Sequence, residues 1–556
     1  MYSESMFLFR LIRKYFHITP STTEIIYIAS WYIFMIVIWT KMLVFDGETY
    51  WAGWGHLWAD WSVHITYVLN MTHRQLLLPF HPLWIGEPFR YHFVADLISA
   101  VLLRAGVSFV HALILPSIVC SFVLVTSVYI FFRTIFKNYK TAMVSTALFL
   151  CNGGLGFLWY IFYILTNNPI IYRNGPIFTF SQIDSAKIEF ANVLTNYFIP
   201  QRPYLLGFPI SICIILYCYQ ITGVSVPNKM RKLFFLGTLT GFFPVIHLYA
   251  YFVILGVCGF LMVWTITSRK SKISNWILFF FPALTIGLPL IINYWGTEGT
   301  NHIRFEPFWP TNGNIQLWFY YWTINEGLLF ILTPISWYFA TRREKILSIP
   351  FAALFIVSNI FLFQPYTWDN GKFITYSYLW SAGLVGNFLV QTYDKHKNWI
   401  IRKALLILVF YFAIFSGAID LINLTQFERQ KFRFFSLSDM KFGEKIREIV
   451  KKDDVLLTGH TSSLVSILTG RQLFMGLDFW VSSYGINTAD RIMIIRNIYS
   501  GSTTANGLLD TYNIHFLVLS PREREILDVN DEFISKHFTP VLKKDNTIIY
   551  KRIITQ

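Results

Sequence analysis

The sequence predicts an α-helical polytopic membrane protein with a small α/β domain at its C-terminal end. Three observations carry this. Only 14% of the 556 residues are charged, against roughly 25% in soluble domains, while 54% are hydrophobic. About eleven apolar runs approach the roughly 20 residues that a spanning helix needs. From about residue 422 the composition turns charged and the pattern changes to short elements.

The expected spans lie near 22–42, 109–132, 141–164, 204–221, 233–247, 248–267, 274–295, 323–340, 346–363, 374–393 and 404–421. The first is long and lacks a small-residue cleavage site, so it reads as an anchor rather than a removed signal peptide. The pair at 233–267 is one long run split at Pro244 and His247. Segment 93–104 (FVADLISAVLLR) is too short to span and carries Asp96 and Arg104, which places it as a helix along the outer surface.

Lys and Arg near span ends are retained on the cytoplasmic side. Six clusters punctuate the runs: Arg10/Arg13/Lys14, Arg133/Lys137/Lys140, Lys229/Arg231/Lys232, Arg269/Lys270/Lys272, Arg342/Arg343/Lys345 and Lys395/Lys397/Arg402/Lys403. With eleven spans and a cytoplasmic N-terminus all six fall on one side. Their nineteen Lys and Arg, set against four acids (Glu4, Glu24, Glu344, Asp394), account for the whole net charge of +15. Nucleic-acid binding would need basic residues clustered among polar ones; here apolar runs separate them, so the excess is a topology signal. The expected place is the plasma (inner) membrane, with the long loops and the C-terminal domain on the extracytoplasmic side.

Within residues 422–556, VLLTGH (455–460), QLFMG and IHFLVLS (514–520) read as strands. SSLVSILTGR and ADRIMIIRNIYS read as helices, and PVLKKDNTIIYKRI as a hairpin turning at Lys544–Asn546. Division into 1–421 and 422–556 follows. All five cysteines fall inside expected spans, so no disulfides are expected in the exported parts. NGGLGF (152–157) has no strand before it and reads as close helix packing rather than a dinucleotide loop. NMT at 70 and NLT at 423 fit the N-glycosylation pattern, which carries little by itself.

From 109 to 419 the expected spans hold no Asp, Glu, Lys or Arg away from their ends. An ion-coupled transporter normally needs such groups at the midplane, which weighs against a transporter or flippase. Ionisable residues crowd instead into the first outer loop, 43–108, with Asp46, Glu48, His56, Asp60, His64, His73, His81, Glu87, Arg90 and His92 among tryptophans. Asp60 and His64 stand four apart, so a helix would put both on one face. A plain interfacial loop anchored by its aromatics is the alternative reading, and a non-catalytic scaffold with an outer domain the broader one.

A single span, an outer loop holding ADWSVH, then Pro-rich text and YHFVADLISAVLLRAG resembles the GT-C superfamily, polytopic glycosyltransferases that use polyprenyl-phosphate-linked sugars. The resemblance covers the first loop and extends as architecture through the spans. It implies transfer of a sugar to a glycan, lipid or protein acceptor on the outer face, by direct displacement with inversion. By position it implies Asp60 as catalytic base, with Asp46 and Glu48 as fallbacks. A positioned carboxylate can take the acceptor's proton, and cations can stabilise the departing phosphate. Arg202, Arg304 and Lys372 are candidates for the phosphate; snorkelling to headgroups, or an ion pair between Lys372 and Asp369, is the alternative. Gln201, His247 and Glu306 are weaker candidates for substrate contact. His64, Glu87, Arg90 and His92 belong with them, although Glu87 and Arg90 can pair with each other. TGR and MGLDFW read as turns first and as an acceptor wall second. Some members hold Mg²⁺ or Mn²⁺ on loop carboxylates. Asp60 and Asp184 are the ligands in question here, but neither stands in a DxD or DxE doublet, which weighs against a metal.

Overall fold

The computed structural model describes residues 16, 18–78, 80–166, 179–189, 191–222, 228–292, 303–395, 399–461 and 464–553. The first basic cluster (Arg10, Arg13, Lys14), Glu4 and Lys397 lie outside the described residues. Among those residues, seven helices are long and apolar enough to cross a membrane, or up to eight if one bent pair counts as a span. The seven are α1 (Thr22–Met42), α4 (Phe109–Phe136), α7 (Arg202–Thr222), α9 (Leu248–Thr267), α10 (Ile273–Ile292), α14 (Gly371–Lys395) and α15 (Ile400–Asn423). The bent pair is α5 (Tyr139–Cys151) and α6 (Gly156–Thr166), which meet at 52°.

This is fewer than the eleven expected, and each shortfall has a local cause. The run at 233–247 forms α8 (Lys229–Gly241), whose 13 residues rise only about 20 Å. The chain then turns through Pro244 before α9. The run at 323–340 is divided by Gly327, at φ 63°, into α11 (Ile315–Glu326) and α12 (Leu328–Phe339). The run at 346–363 forms α13 (Arg342–Ile360), which begins RREK and contains Pro350. These helices nevertheless pack within the bundle, α8 against α10, and α12 and α13 against α14.

The bend between α5 and α6 comes from the NGGLGF glycines. A Cβ on Gly153 would lie 2.1 Å from the Gly417 nitrogen, and one on Gly156 would lie 1.6 Å from the Phe180 carbonyl. Bare backbone lets α15 and the 179–189 loop approach. None of the five cysteines forms a disulfide, and all lie in helices.

Two faces of the bundle differ in chemistry. On one, Arg133 at the end of α4 pairs with Glu24 at the start of α1 (3.0 Å), and Lys140 of α5 pairs with Asp394 of α14 (3.0 Å). Arg343 of α13 donates to the Ile135 carbonyl of α4 (3.3 Å), and Lys232 of α8 lies over the Tyr217 ring of α7. Basic residues of three of the clusters thus meet on one side. The opposite side carries α2 (Leu57–His73) and α3 (Val94–Arg104). The latter packs on α2 through one face, burying Asp96, Ser99 and Ala100 completely while Ile98 and Val101 stay exposed, and Arg104 donates to the Met71 carbonyl (2.6 Å).

The C-terminal region supplies a five-stranded sheet of β4 (Val455–Leu457), β5 (Gln472–Leu473), β6 (Ile514–Leu519), β7 (Phe538–Lys544) and β8 (Thr547–Arg552), in the order β5-β4-β6-β8-β7. Strands β5, β4 and β6 run parallel, and β8 is antiparallel to β6 and β7. The hairpin turns through Asp545, at φ 49°. Unbroken apolar runs in the central strands, Val455 to Leu457 and Phe516 to Leu519, build a buried core together with Ile549.

In space this region is interlocked with the first loop. Strands β1 (Leu43–Phe45) and β2 (Thr49–Ala52) form one sheet with β3 (Phe432–Ser436), Thr49 opposing Ser436. Gln472 donates to the His81 carbonyl (2.6 Å) and the Leu473 N–H to the Pro82 carbonyl (2.9 Å). Arg491 stacks on Trp84 at 3.8 Å and donates to the Ile85 carbonyl (2.6 Å).

Candidate functional site

A cavity of about 580 Å³ lies where the first loop, the ends of the membrane helices and the C-terminal region meet. Its floor is apolar, from Leu248 and Phe252 of α9, Ile291 of α10, Leu354 and Val357 of α13 and Phe373 of α14. Its roof is Phe479, Trp480, Ser483, Tyr484 and Ile486 of the C-terminal region. Tyr366 closes one side, with its ring 5.2 Å from that of Phe479 and its hydroxyl 3.3 Å from Ser482 Oγ.

Helix α2 brings Asp60 and His64 to this cavity together, one turn apart. Asp60 has no hydrogen-bond or ion-pair partner among the described residues. Burial raises its carboxyl above the usual range; His64 and Lys372 pull it down and Asp369 pushes it up. A carboxylate so placed is a stronger base than one in water.

His64 is held from behind. Its Nδ1 lies 2.8 Å from Asp96 Oδ2, and Arg202 Nη1 lies 2.9 Å from Asp96 Oδ1. Arg202 also donates to the Ser99 hydroxyl. All three charged or titratable side chains of this chain are 3% exposed or less.

The loop before α3 supplies Glu87, Arg90 and His92. Arg90 Nη1 is 3.9 Å from Glu87 Oε2, and Arg90 Nε and Nη1 have no hydrogen-bond partner among the described residues. Burial, followed by its neighbours Lys372 and His64, holds the His92 imidazole well below its ordinary pKa. At the membrane edge Lys372 pairs with Asp369 (2.8 Å) and lies over the Tyr249 ring at 5.0 Å. Gln201 lines the same cavity.

The structure therefore gathers Asp60, His64, Glu87, Arg90, His92, Gln201, Asp369 and Lys372 around one space. Asp46 and Glu48, in the turn between β1 and β2, and four of the phosphate and substrate-contact candidates stand outside its lining. Arg202 is turned inward onto Asp96, where Asp96 and Ser99 offer its guanidinium two acceptors. Arg304 and Glu306 are exposed and pair with each other at 2.9 Å. His247 is buried at the start of α9, where its Nδ1 accepts from the Ala250 N–H, and it stacks on Tyr204 at 4.7 Å.

The donor set does not fit the metal site considered from the sequence. Asp184 is exposed on a short turn and does not line the cavity with Asp60. Among the described residues no three His, Cys, Asp or Glu side chains cluster as a cation would need.

Sequence reasoning missed Asp96 as the partner of both His64 and Arg202, and most of the individual roof residues. The roof's one visible signal was MGLDFW, whose Phe479 and Trp480 face the cavity.

In comparisons with known proteins, no family model and no curated protein sequence matches. Among solved structures, the chain is similar to the archaeal oligosaccharyltransferase AglB from Archaeoglobus fulgidus in complex with an inhibitory peptide and a dolichol-phosphate. That match has 13% identity and a TM-score of 0.47, over 91% of this chain and 70% of that one. It is also similar to ArnT from Cupriavidus metallidurans bound to undecaprenyl phosphate, at 11% identity and a TM-score of 0.48, over 96% and 99% of the respective chains.

Proposed function

We propose that this integral membrane protein is a glycosyltransferase of the GT-C type, moving a sugar from a polyprenyl-phosphate donor to an acceptor on the extracytoplasmic face. The observation that carries the reading is the position of Asp60. It is a carboxylate without a hydrogen-bond or ion-pair partner among the described residues, in a cavity that has an apolar floor of membrane-helix ends and a largely aromatic roof outside the bundle. A lipid-linked donor can keep its chain against Phe252, Ile291 and Leu354 while its sugar rests beside Asp60.

In this mechanism Asp60 takes the proton from the acceptor group as that group's electron pair forms the bond to the anomeric carbon. The bond from that carbon to the phosphate oxygen breaks with both its electrons, leaving polyprenyl phosphate and an inverted centre. Lys372 and Arg90 stabilise the charge on the departing phosphate, an effect strengthened by the low dielectric of an enclosed site. The basic face is cytoplasmic in this reading, and the C-terminal region caps the site from outside.

The test is transfer from a panel of radiolabelled polyprenyl-phosphate sugars by the full chain in its lipid, compared with Asp60→Asn. Loss of at least about a hundredfold in rate is expected for a missing general base. Equal transfer by both proteins removes Asp60 from the mechanism, and no transfer by the wild type from any donor removes the enzyme reading.

A further inference from the structure

Asp96 engages both of its oxygens, and the two partners differ in kind. Arg202 Nη1 occupies Oδ1 at 2.9 Å and His64 Nδ1 occupies Oδ2 at 2.8 Å. A salt-bridged carboxylate only accepts hydrogen bonds, so the hydrogen between Asp96 and His64 belongs to Nδ1. In a neutral imidazole that leaves Nε2 as a bare acceptor. His64 lines the cavity, and Nδ1 makes its only hydrogen bond among the described residues.

We propose that Asp96 is a positioning residue that locks His64 in the Nδ1–H form, so that Nε2 joins the Asp60 carboxylate as an acceptor turned to the ligand. The cavity face of α2 then offers hydrogen-bond acceptors and no donors. It selects a hydroxyl-bearing part of the ligand, while Lys372 and Arg90 are left for the anionic part. This assignment of ligand chemistry rests on the glycosyltransferase reading; the tautomer lock does not.

Arg202 is what gives the lock its direction. In Asp96→Asn the amide oxygen stays with the Arg202 donor, so the amide NH₂ faces His64 and donates to Nδ1. The imidazole must then carry its hydrogen on Nε2, turning an acceptor into a donor inside the cavity.

Nitrogen-15 spectra of the histidine-labelled, detergent-solubilised full chain test the lock directly, with the His64 signals identified by their loss in His64→Gln. The expected result is a protonated-type Nδ1 and an imine-type Nε2 in the wild type, exchanged in Asp96→Asn. A wild-type Nε2–H form, or fast averaging of the two forms, overturns the proposal. If Asp96→Asn does not fold, the wild-type spectrum alone decides.

The ligand chemistry is tested by steady-state transfer. His64→Phe should raise KM by about three- to tenfold, the worth of one hydrogen bond to a neutral hydroxyl. His64→Gln, whose amide oxygen can accept, should recover most of that. Unchanged KM and kcat in His64→Phe refute the contact. Absence of transfer by the wild type would instead refute the glycosyltransferase reading and leave the spectroscopic result standing.

Discussion

Replacing Arg202 with Met separates two roles that the sequence left open, phosphate contact and internal support. The Arg202 and Asp96 side chains are 2% and 0% exposed and 2.9 Å apart. Removing one member of such a pair strands the other as an uncompensated buried charge, which costs about 3–5 kcal/mol. Arg202→Met should therefore lower the folding equilibrium by roughly a hundred- to several thousandfold. Adding Asp96→Asn removes the stranded charge, and with Arg202 gone the amide oxygen is free to accept from His64. The double variant should recover a coupling energy of about 1–3 kcal/mol. The assay is SDS-titrated unfolding of the detergent-solubilised protein, followed by tryptophan fluorescence, for wild type, both single variants and the double variant. A double variant no more stable than Arg202→Met refutes the coupling. An Arg202→Met protein as stable as wild type but impaired in transfer shows instead that the guanidinium meets substrate.

Three further outcomes are expected. Because burial raises the Asp60 carboxyl and the base must be ionised, the acid limb of kcat/KM should lie above the usual carboxylate range. Lys372→Met should move that limb further up and Asp369→Asn should move it down, following the signs of their charges; limbs that stay put in both pH–rate profiles contradict the electrostatics. His81 is fully enclosed and its imidazole is held down to about 3 by burial. Below the ordinary His range the unfolded chain takes up a proton that the folded one refuses, so stability falls by up to about 1.4 kcal/mol per pH unit from about 6.5 toward 3. His81→Phe should flatten that part of a stability–pH curve, and an unchanged slope would exonerate His81. Gly417→Ala puts a Cβ 2.3 Å from the Cys151 carbonyl oxygen. Despite the better helix propensity of alanine, the melting temperature should fall with a loss of about 1–3 kcal/mol; a rise would show that the bend can yield.

What could be read from the sequence was what depends on near neighbours. Asp60 and His64 share a face because helical periodicity puts residues four apart together, and both reached the cavity. The strands at 455–457, 472–473 and 514–519 and the closing hairpin were legible from short apolar runs bounded by turn residues. Arg202 was not, since its partner Asp96 sits 106 residues earlier and only the packing of α3 against α7 brings them together. The same holds for the roof: nothing near Tyr484 indicates that its hydroxyl will meet that of Tyr67 at 2.5 Å. The span count went astray for a local reason that hydropathy conceals. Gly327 and the polar start of α13 interrupt or blunt runs whose average character is apolar.

The shared sheet of β1, β2 and β3 has a consequence for how the protein is made. Thr49 leaves the ribosome early, yet its partner Ser436 follows only after the last long helix, α15. Until then the loop that carries Asp60 has an unpaired strand edge and no roof, and its orphaned backbone groups must be met by water or a chaperone. A chain stopped short of β3 would therefore hold all the described membrane helices and still lack a formed loop around Asp60. Insertion of the helices and completion of the cavity are in this sense successive events, with the second waiting on synthesis of β3 and the roof.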